Sequence, residues 1–405
     1  MKQLISAITI TAATIASIYF YPSISGQAIP TPKIKQNPVE SVIAPRNYEQ
    51  HNQLEVAFVL DTTGSMSGLI QGAKDNIWSI ASSMASAESA PTIKMGLVAY
   101  RDRGDSYVTK VSDLNEDLDT NYGELMQYQA GGGGDAPESV NKALYDAVTK
   151  LSWSQSKDIY KVIFLVGDAP PKMNYQDEMH YPEIIELAKR KGIIINTIQC
   201  GNQRGTTKPW KDIASLSQGN YFQVEQSGGA VALSTPFDEE IARLAAELDN
   251  TRLFYGSEKV RQEKRRKTFA ANRFNSSAPV SSVARKAEFN VSASGQRNFS
   301  GDNELIADIG SGKISLEEVA VADLPKEVRS LEASERQGAI EQKAKQREKL
   351  KKQITDLSKK RSDYIKSELA ASEKDKDSLD NLIYKTVRVQ AREKGLNYES
   401  ESAKY

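Results

Sequence analysis

Hydrophobic and polar positions alternate with two different periods between residue 54 and about residue 255. Residues 54–60 form a nearly continuous apolar run of strand length, which is typical of a parallel strand covered on both faces. Other stretches show helical spacing, such as Leu69, Ala73, Ile77 and Ile80 on one helix face. The predicted strands span 54–60, 93–100, 108–111, 162–166, 193–198 and 221–224, and the predicted helices span 67–85, 138–151, 182–191, 210–216 and 237–248.

This alternation predicts an α/β fold over residues 53–255, with a Rossmann-like, mostly parallel sheet and helices on both faces. Residues 108–111 are expected to form an antiparallel edge strand. In such sheets, ligands bind outside the carboxyl ends of the strands. Side chains that follow predicted strands are therefore the first candidates for a functional site.

The N-terminal region has the pattern of an export signal. Met1-Lys2 precedes an apolar stretch over residues 4–21, and Gly26-Gln27-Ala28 offers small side chains for cleavage after Ala28. An uncleaved membrane anchor is the alternative, since the stretch approaches spanning length; we favour cleavage. Residues 1–28 are therefore interpreted as a signal peptide and 29–52, with four prolines, as a linker.

Beyond residue 255 the chain becomes more charged. We expect a linker and a small unassigned module over 256–324, with 275–300 loose and 301–324 bearing strands. Residues 325–405 are predicted to form a charged helical extension. Leu350, Ile354, Leu357 and Tyr364 have three-four spacing, but arginines interrupt the seam, which supports about two heptads of coiled coil.

Composition narrows the functional classes. The 405 residues contain 53 basic and 53 acidic side chains, so the chain as a whole has no charge that favours nucleic acid. Its single cysteine, Cys200, ends an apolar strand and is read as a buried hydrophobe. Few cysteines behind an export signal indicate a periplasmic, cell-envelope or secreted protein.

Oxygen-bearing side chains follow the first predicted strand at alternate positions. Asp61, Thr63 and Ser65 lie at i, i+2 and i+4, and a locally extended loop projects such residues the same way. One carboxylate and two hydroxyls suit a hard divalent cation such as Mg²⁺ without filling its coordination shell.

Two further loops carry carboxylates. Asp168 directly follows the 162–166 strand. Four glycines, 131–134, precede Asp135, Ala136, Pro137 and Glu138. A phosphate-binding loop would need a following Lys-Ser/Thr pair, whereas carboxylates attract cations. Glu138 at a helix start has the alternative role of favouring the helix dipole.

These three motifs resemble, in order, those of the von Willebrand factor A (VWA) domain with its metal-ion-dependent adhesion site (MIDAS). The resemblance covers about residues 53–255. It implies that Asp61, Thr63 and Ser65 bind the metal directly and that Asp168 contacts it through a water molecule. The third loop is similar to the integrin β-subunit version, which implies Glu138 as a ligand, with Asp135 and the Pro137 carbonyl serving a second cation. The acidic residues that accompany such a cation are absent after Ser65, where Ser67-Gly68-Leu69-Ile70 occurs.

The expected function follows from charge. A Mg²⁺ or Mn²⁺ ion, with Ca²⁺ as a further candidate, keeps positive character and accepts an Asp or Glu of a protein partner at its open position. The acidic Glu138 should weaken this attraction. The competing hypothesis is a structural envelope protein that self-associates through its helical tail, with the metal only stabilising the strand-end loops.

An enzyme is not expected. The only histidines are His51 in the linker and His180 in a loop, and there is no nucleophile-elbow motif. Asp61 and Asp168 could form a hydrolytic pair, but the neighbouring hydroxyls fit metal ligation better.

Overall fold

Six strands form one sheet in the order β3-β2-β1-β4-β5-β6. All neighbouring strands are parallel except β2 and β3, which confirms the predicted α/β class and the antiparallel edge. The structure is a computed structural model and describes residues 53–134, 137–226, 233–370 and 379–399. The strands are β1 (Gln53–Asp61), β2 (Thr92–Tyr100), β3 (Thr109–Asn115), β4 (Tyr160–Gly167), β5 (Ile193–Cys200) and β6 (Tyr221–Val224).

Helices cover both faces of this sheet. The first six are α1 (Ser67–Met84), α2 (Leu118–Gln127), α3 (Val140–Lys150), α4 (Tyr181–Arg190), α5 (Arg204–Leu216) and α6 (Asp238–Asp249). Helix α2 was not predicted. Its apolar stripe has only three members, Leu118, Tyr122 and Leu125, and all three are buried.

Side chains that alternate along the strands enter two separate apolar clusters. Phe58 and Leu60 of β1 point to the face that α1 and α2 cover, and Phe58 stacks on Phe164 of β4 with ring centroids 5.7 Å apart. Ala57 and Val59 point to the opposite face, which α3, α4 and α5 cover. Burial on both faces explains why β1 reads as a continuous apolar run.

The described residues beyond 255 are mainly helical. They form α7 (Glu258–Ser277), α8 (Val280–Val291), α9 (Gln296–Ser300), α10 (Leu305–Gly310), α11 (Lys326–Arg329), α12 (Ala333–Ala370) and α13 (Leu379–Ala391). The expectation that 275–300 is loose was wrong. The expectation of strands over 301–324 was also wrong, because this part forms α10 and two 3₁₀ turns. Glu304 caps the first turn of α10, and Ser315 and Glu318 form a capping box that favours a helical turn.

The apolar stripe of α12 is used within the chain. Leu350 and Ile354 are buried in the same cluster as the β1 side chains. The arginines that interrupt the seam are also buried. Arg347 donates to both carboxylate oxygens of Glu304, at 2.8 and 2.9 Å, and Arg361 donates to Asp238 of α6 at 2.8 Å. Self-association through these helices stays a prediction.

Helix α13 covers part of the sheet face beside α1. Its apolar stripe of Ile383, Val387 and Ala391 is buried in the main cluster. The Gln390 amide bridges Tyr160 of β4 and Asn196 of β5. The final turn ends at Gly395 with φ 80°, a left-handed conformation that glycine favours at helix ends. The core therefore continues well past residue 255.

No helix among the described residues is long and apolar enough to cross a membrane. The predicted signal peptide and linker, residues 1–52, lie outside the described residues.

Candidate functional site

The carboxyl ends of β1 and β4 meet the glycine-rich loop at one edge of the sheet. The backbone N–H of Gly131 donates to Thr62 O at 3.1 Å, and that of Gly64 donates to Gly132 O at 3.3 Å. Gly132 and Gly133 have φ of 79° and 82°, a conformation that glycine adopts without a steric penalty. These glycines allow the loop to lie directly over the turn that follows β1.

The first loop gathers its three oxygens as the sequence predicted. Asp61 Oδ1 accepts from Thr63 N at 2.8 Å and from Thr63 Oγ1 at 2.7 Å. Thr63 Oγ1 lies 3.4 Å from Ser65 Oγ. Ligand oxygens on an octahedral Mg²⁺ at 2.0–2.1 Å are separated by about 3 Å along each edge, so the spacing between the Thr63 and Ser65 hydroxyls is close to the required value.

Asp61 is fully buried at the base of this cluster. Within the part of the chain that the structure describes, its Oδ2 atom has no hydrogen-bond partner. Burial raises the pKa of Asp61 to about 7; hydrogen bonds from Thr63 act against this, and the nearby charge of Asp168 adds to it. A buried carboxylate with one uncompensated oxygen is a position where a bound cation would be stabilising.

Glu138 lies on the other side of Thr63. A Cβ atom at Gly133 would be 3.2 Å from Thr63 Cβ and 3.5 Å from Glu138 Oε1. The Glu138 carboxylate therefore lies close to Thr63 of the first loop. Glu138 is buried, and its backbone N–H donates to Pro170 O at 2.9 Å in the loop after β4. This bond fixes the glycine-rich loop relative to β4.

Asp168 is joined to the first loop through Gln226, a residue that the sequence did not single out. Gln226 Nε2 donates to Asp168 Oδ2 at 2.7 Å and to the carbonyl of Ser65 at 3.2 Å. Thr206 of α5 donates to the carbonyl of Asp168 at 2.7 Å. The structure thus brings Asp168 close to Ser65. Gln226 follows β6, and only the strand order places it beside β1 and β4.

The second-cation prediction rests on Asp135 and Pro137. Asp135 lies outside the described residues, and Pro137 is half-buried.

The neighbouring Asp105 accepts from the backbone N–H of Gly133 at 3.2 Å. Arg103 pairs with Asp177 at 3.0 Å and also contacts Glu178. The Arg103-Gly104-Asp105 tripeptide is therefore held by contacts within the chain.

The donor set fits a hard cation. Among the described residues no group of three or more His, Cys, Asp or Glu side chains could hold a metal ion without other ligands. The candidate site instead combines carboxylates with the hydroxyls of Thr63 and Ser65. Oxygen ligands of this kind suit Mg²⁺, Mn²⁺ or Ca²⁺ better than metals that prefer nitrogen and sulfur. Asp61 and Thr63 are buried and Ser65 is exposed, so the cluster opens to the surface on one side.

Residues at the ends of β2 and β4 support the site without being predicted. A Cβ at Gly167 would lie 2.5 Å from the Tyr100 hydroxyl and 2.9 Å from Asp61 Cβ, so only glycine fits there. Arg101 is buried and donates to Thr62 O at 3.1 Å. Its charge lies close enough to lower the pKa of Asp61. Pairing of β1 with both neighbouring strands brings these residues together, and no local sequence signal marks them.

Comparison with known proteins finds a family match for part of the chain. Residues 55–236, somewhat less than half of the chain, match the family model described as von Willebrand factor A domain. A search of curated proteins found no match.

Among solved structures, the chain is similar to proximal thread matrix protein 1 from the mussel byssus. The identity is 15%, the match covers 43% of this chain and 42% of that one, and the TM-score is 0.33. A form of that protein with a zinc-occupied MIDAS motif matches at 16% identity over 43% and 42% of the two chains, with a TM-score of 0.34. The SpRpn10 VWA domain matches at 16% identity over 43% of this chain and 89% of its own, with a TM-score of 0.32.

The chain thus spans less than half the length of the mussel structures that it matches. The six-stranded sheet, its mostly parallel order and the family match agree with one another. Residues 55–236 therefore match the von Willebrand factor A domain family, and the fold of this part agrees with that match.

Proposed function

We propose that this chain is an exported protein-binding module that captures an acidic residue of a partner through a divalent cation. VWA domains are typically protein-interaction modules and generally not enzymes. The observation that carries the proposal is the buried Asp61 carboxylate, with one oxygen that has no hydrogen-bond partner among the described residues, beside two hydroxyls on a loop that opens to the surface.

Three side chains would hold the cation directly. Asp61 contributes charge, and Thr63 and Ser65 contribute neutral hydroxyls, so a bound Mg²⁺ keeps net positive character. Glu138 is proposed as a further ligand and Asp168 as a residue that acts through water. The cation supplies a Lewis-acidic position for an incoming carboxylate. The chain itself fixes the loop oxygens through the hydrogen bonds between Thr63 and Asp61.

The Thr63 hydrogen bonds determine which oxygen is available. Both the N–H and the hydroxyl of Thr63 donate to Asp61 Oδ1. The Thr63 hydroxyl would offer its oxygen to a cation while its hydrogen donates to Asp61, and this hydrogen bond orients both side chains. Glu138 adds a second negative charge close by, so we expect modest affinity for an acidic partner, or a partner that makes additional contacts.

Calorimetric titration of the protein with Mg²⁺ and with Mn²⁺ tests the metal site. Saturable binding is expected in the wild type, and Asp61→Ala should abolish it. Asp212→Ala is the matched control, because Asp212 is an exposed carboxylate that pairs with Lys208 within α5. No binding by the wild type, or equal binding by Asp61→Ala, would remove the basis of the proposal.

Capture of envelope proteins with and without EDTA tests the adhesive role separately. Metal-dependent capture supports the proposal. Metal-independent capture would favour the structural alternative, in which the cation only stabilises the strand-end loops.

A further inference from the structure

Helix α7 presents one aromatic side chain to solvent. Phe269 is 70% exposed, the largest exposed fraction of any large hydrophobic side chain that the structure describes. The opposite face of the helix is buried, since Ala271 and Phe274 lie in the core. Packing within the chain therefore does not explain why a phenylalanine occupies this position.

Basic side chains surround Phe269 on the same helix face. Arg265, Arg266 and Arg273 lie three or four residues from it, and all three are exposed. Lys259 extends this face toward the start of the helix.

Acidic side chains reduce this positive charge only in part. Glu258, on the same face, is held by Arg261 at 2.8 Å and by Arg265. Glu263 lies on the flank of the helix, away from Phe269. The face therefore keeps an excess of positive charge around its single aromatic residue.

A groove next to this face is also lined by basic side chains and by Phe269. The groove has a volume of about 770 Å³ and lies between α7 and α11. Phe269 lines it together with Lys326 and Arg329 of α11, and Glu327 is the acidic residue of that helix. The positive surface is thus built by two helices.

We propose that this face, defined by Lys259, Arg265, Arg266, Phe269 and Arg273, binds the surface of a phospholipid membrane that carries anionic headgroups. Guanidinium and ammonium groups complement the negative surface, and an exposed phenylalanine can enter the headgroup boundary, where its ring leaves water. The inference is independent of the metal site, because none of these side chains contacts the strand-end loops.

Sedimentation of the full chain with lipid vesicles tests the proposal. Vesicles of phosphatidylglycerol and phosphatidylcholine should bind the protein, and binding should weaken with added salt. The Arg266→Gln/Arg273→Gln variant and the Phe269→Ser variant should each lower the partition coefficient by about tenfold. Val389→Ser is the matched control, since Val389 is 65% exposed but lies on α13; it should bind as the wild type does.

The comparison between variants also removes the effect of the apolar N-terminal stretch, which is present in every chain. If Phe269→Ser and the double arginine variant bind the anionic vesicles as strongly as the wild type, the proposal is overturned.

A spectroscopic readout distinguishes a membrane from an acidic polymer. All three native tryptophans are buried, so the Phe269→Trp variant adds one exposed fluorophore. Its emission should shift to shorter wavelength with anionic vesicles and stay unshifted with phosphatidylcholine alone. Equal binding of polyglutamate and vesicles without a shift would assign the face to an acidic polymer and overturn the membrane proposal.

Discussion

The buried carboxylate of Asp61 should make the metal-free protein less stable than an Asp61→Asn variant at neutral and alkaline pH. Its pKa rises from 3.8 to about 7 on folding, and a shift of this size corresponds to roughly 4 kcal/mol against the ionised form. Because the folded-state pKa is the higher one, this destabilisation grows as the pH rises between the two values and is constant above the upper one.

Asparagine removes the charge and keeps an oxygen to accept both hydrogen bonds from Thr63. Its buried N–H₂ group brings a cost of about 1–3 kcal/mol where it has no acceptor. We therefore expect a net stabilisation of about 1–3 kcal/mol in EDTA above pH 7, which shrinks as the pH falls toward 4. Addition of Mg²⁺ should stabilise only the wild type, because a ligand that binds the folded state adds to its stability.

Urea unfolding with and without Mg²⁺, at several pH values, measures both effects. Ser65→Ala is the control, since it removes an exposed hydroxyl of the proposed site without removing a buried charge. This variant should lose Mg²⁺-dependent stabilisation and show no gain in EDTA. If Asp61→Asn unfolds at a lower urea concentration than the wild type in EDTA above pH 7, the argument from burial is refuted.

Three further outcomes are expected from unfolding measurements. Arg347→Met should cost about 3–5 kcal/mol, because it leaves the buried Glu304 carboxylate unpaired, and Glu304→Gln in the same chain should restore part of the loss. Burial raises the pKa of Asp119, but the charge of Lys286, 3.0 Å away, helps to hold it below its usual 3.8. The stability that this pair contributes is therefore present above pH 4 and is lost as the pH falls through the lower folded-state pKa of Asp119. On acid titration, the Lys286→Met variant should unfold at a higher pH than the wild type. Gly167→Ala should lower stability by about 1–3 kcal/mol and weaken Mg²⁺ binding, since the added Cβ would overlap a tyrosine hydroxyl of β2. Unchanged stability in any of the three would contradict the packing described for that position.

The sheet was predictable because its strands carry strong local signals. The apolar run of β1 was assigned close to its observed bounds, since burial on both faces leaves few polar positions. The short run of β6 was assigned at its observed bounds, although this edge strand is only partly buried. The alternate oxygens Asp61, Thr63 and Ser65 were predictable for the same reason, because they directly follow such a run.

Residues brought together by tertiary packing were not predictable in this way. Gln226 follows an edge strand and reaches Asp168 only because β6 and β4 both pair with β5. Arg347 and Arg361 appeared to break a hydrophobic seam, whereas each pairs with a buried carboxylate far away in sequence. A pattern along one helix cannot show a partner that another element supplies.

The single core shared by the sheet, α6, α8, α12 and α13 has a practical consequence for anyone who expresses this protein. A fragment trimmed to the family match at residue 236 would lack α6, α8, α12 and α13, and it would expose the apolar side chains that these helices cover. Such a product should aggregate, and its failure to bind metal would say nothing about the intact molecule. Recombinant versions should therefore extend at least through Leu396, the last residue that this core buries.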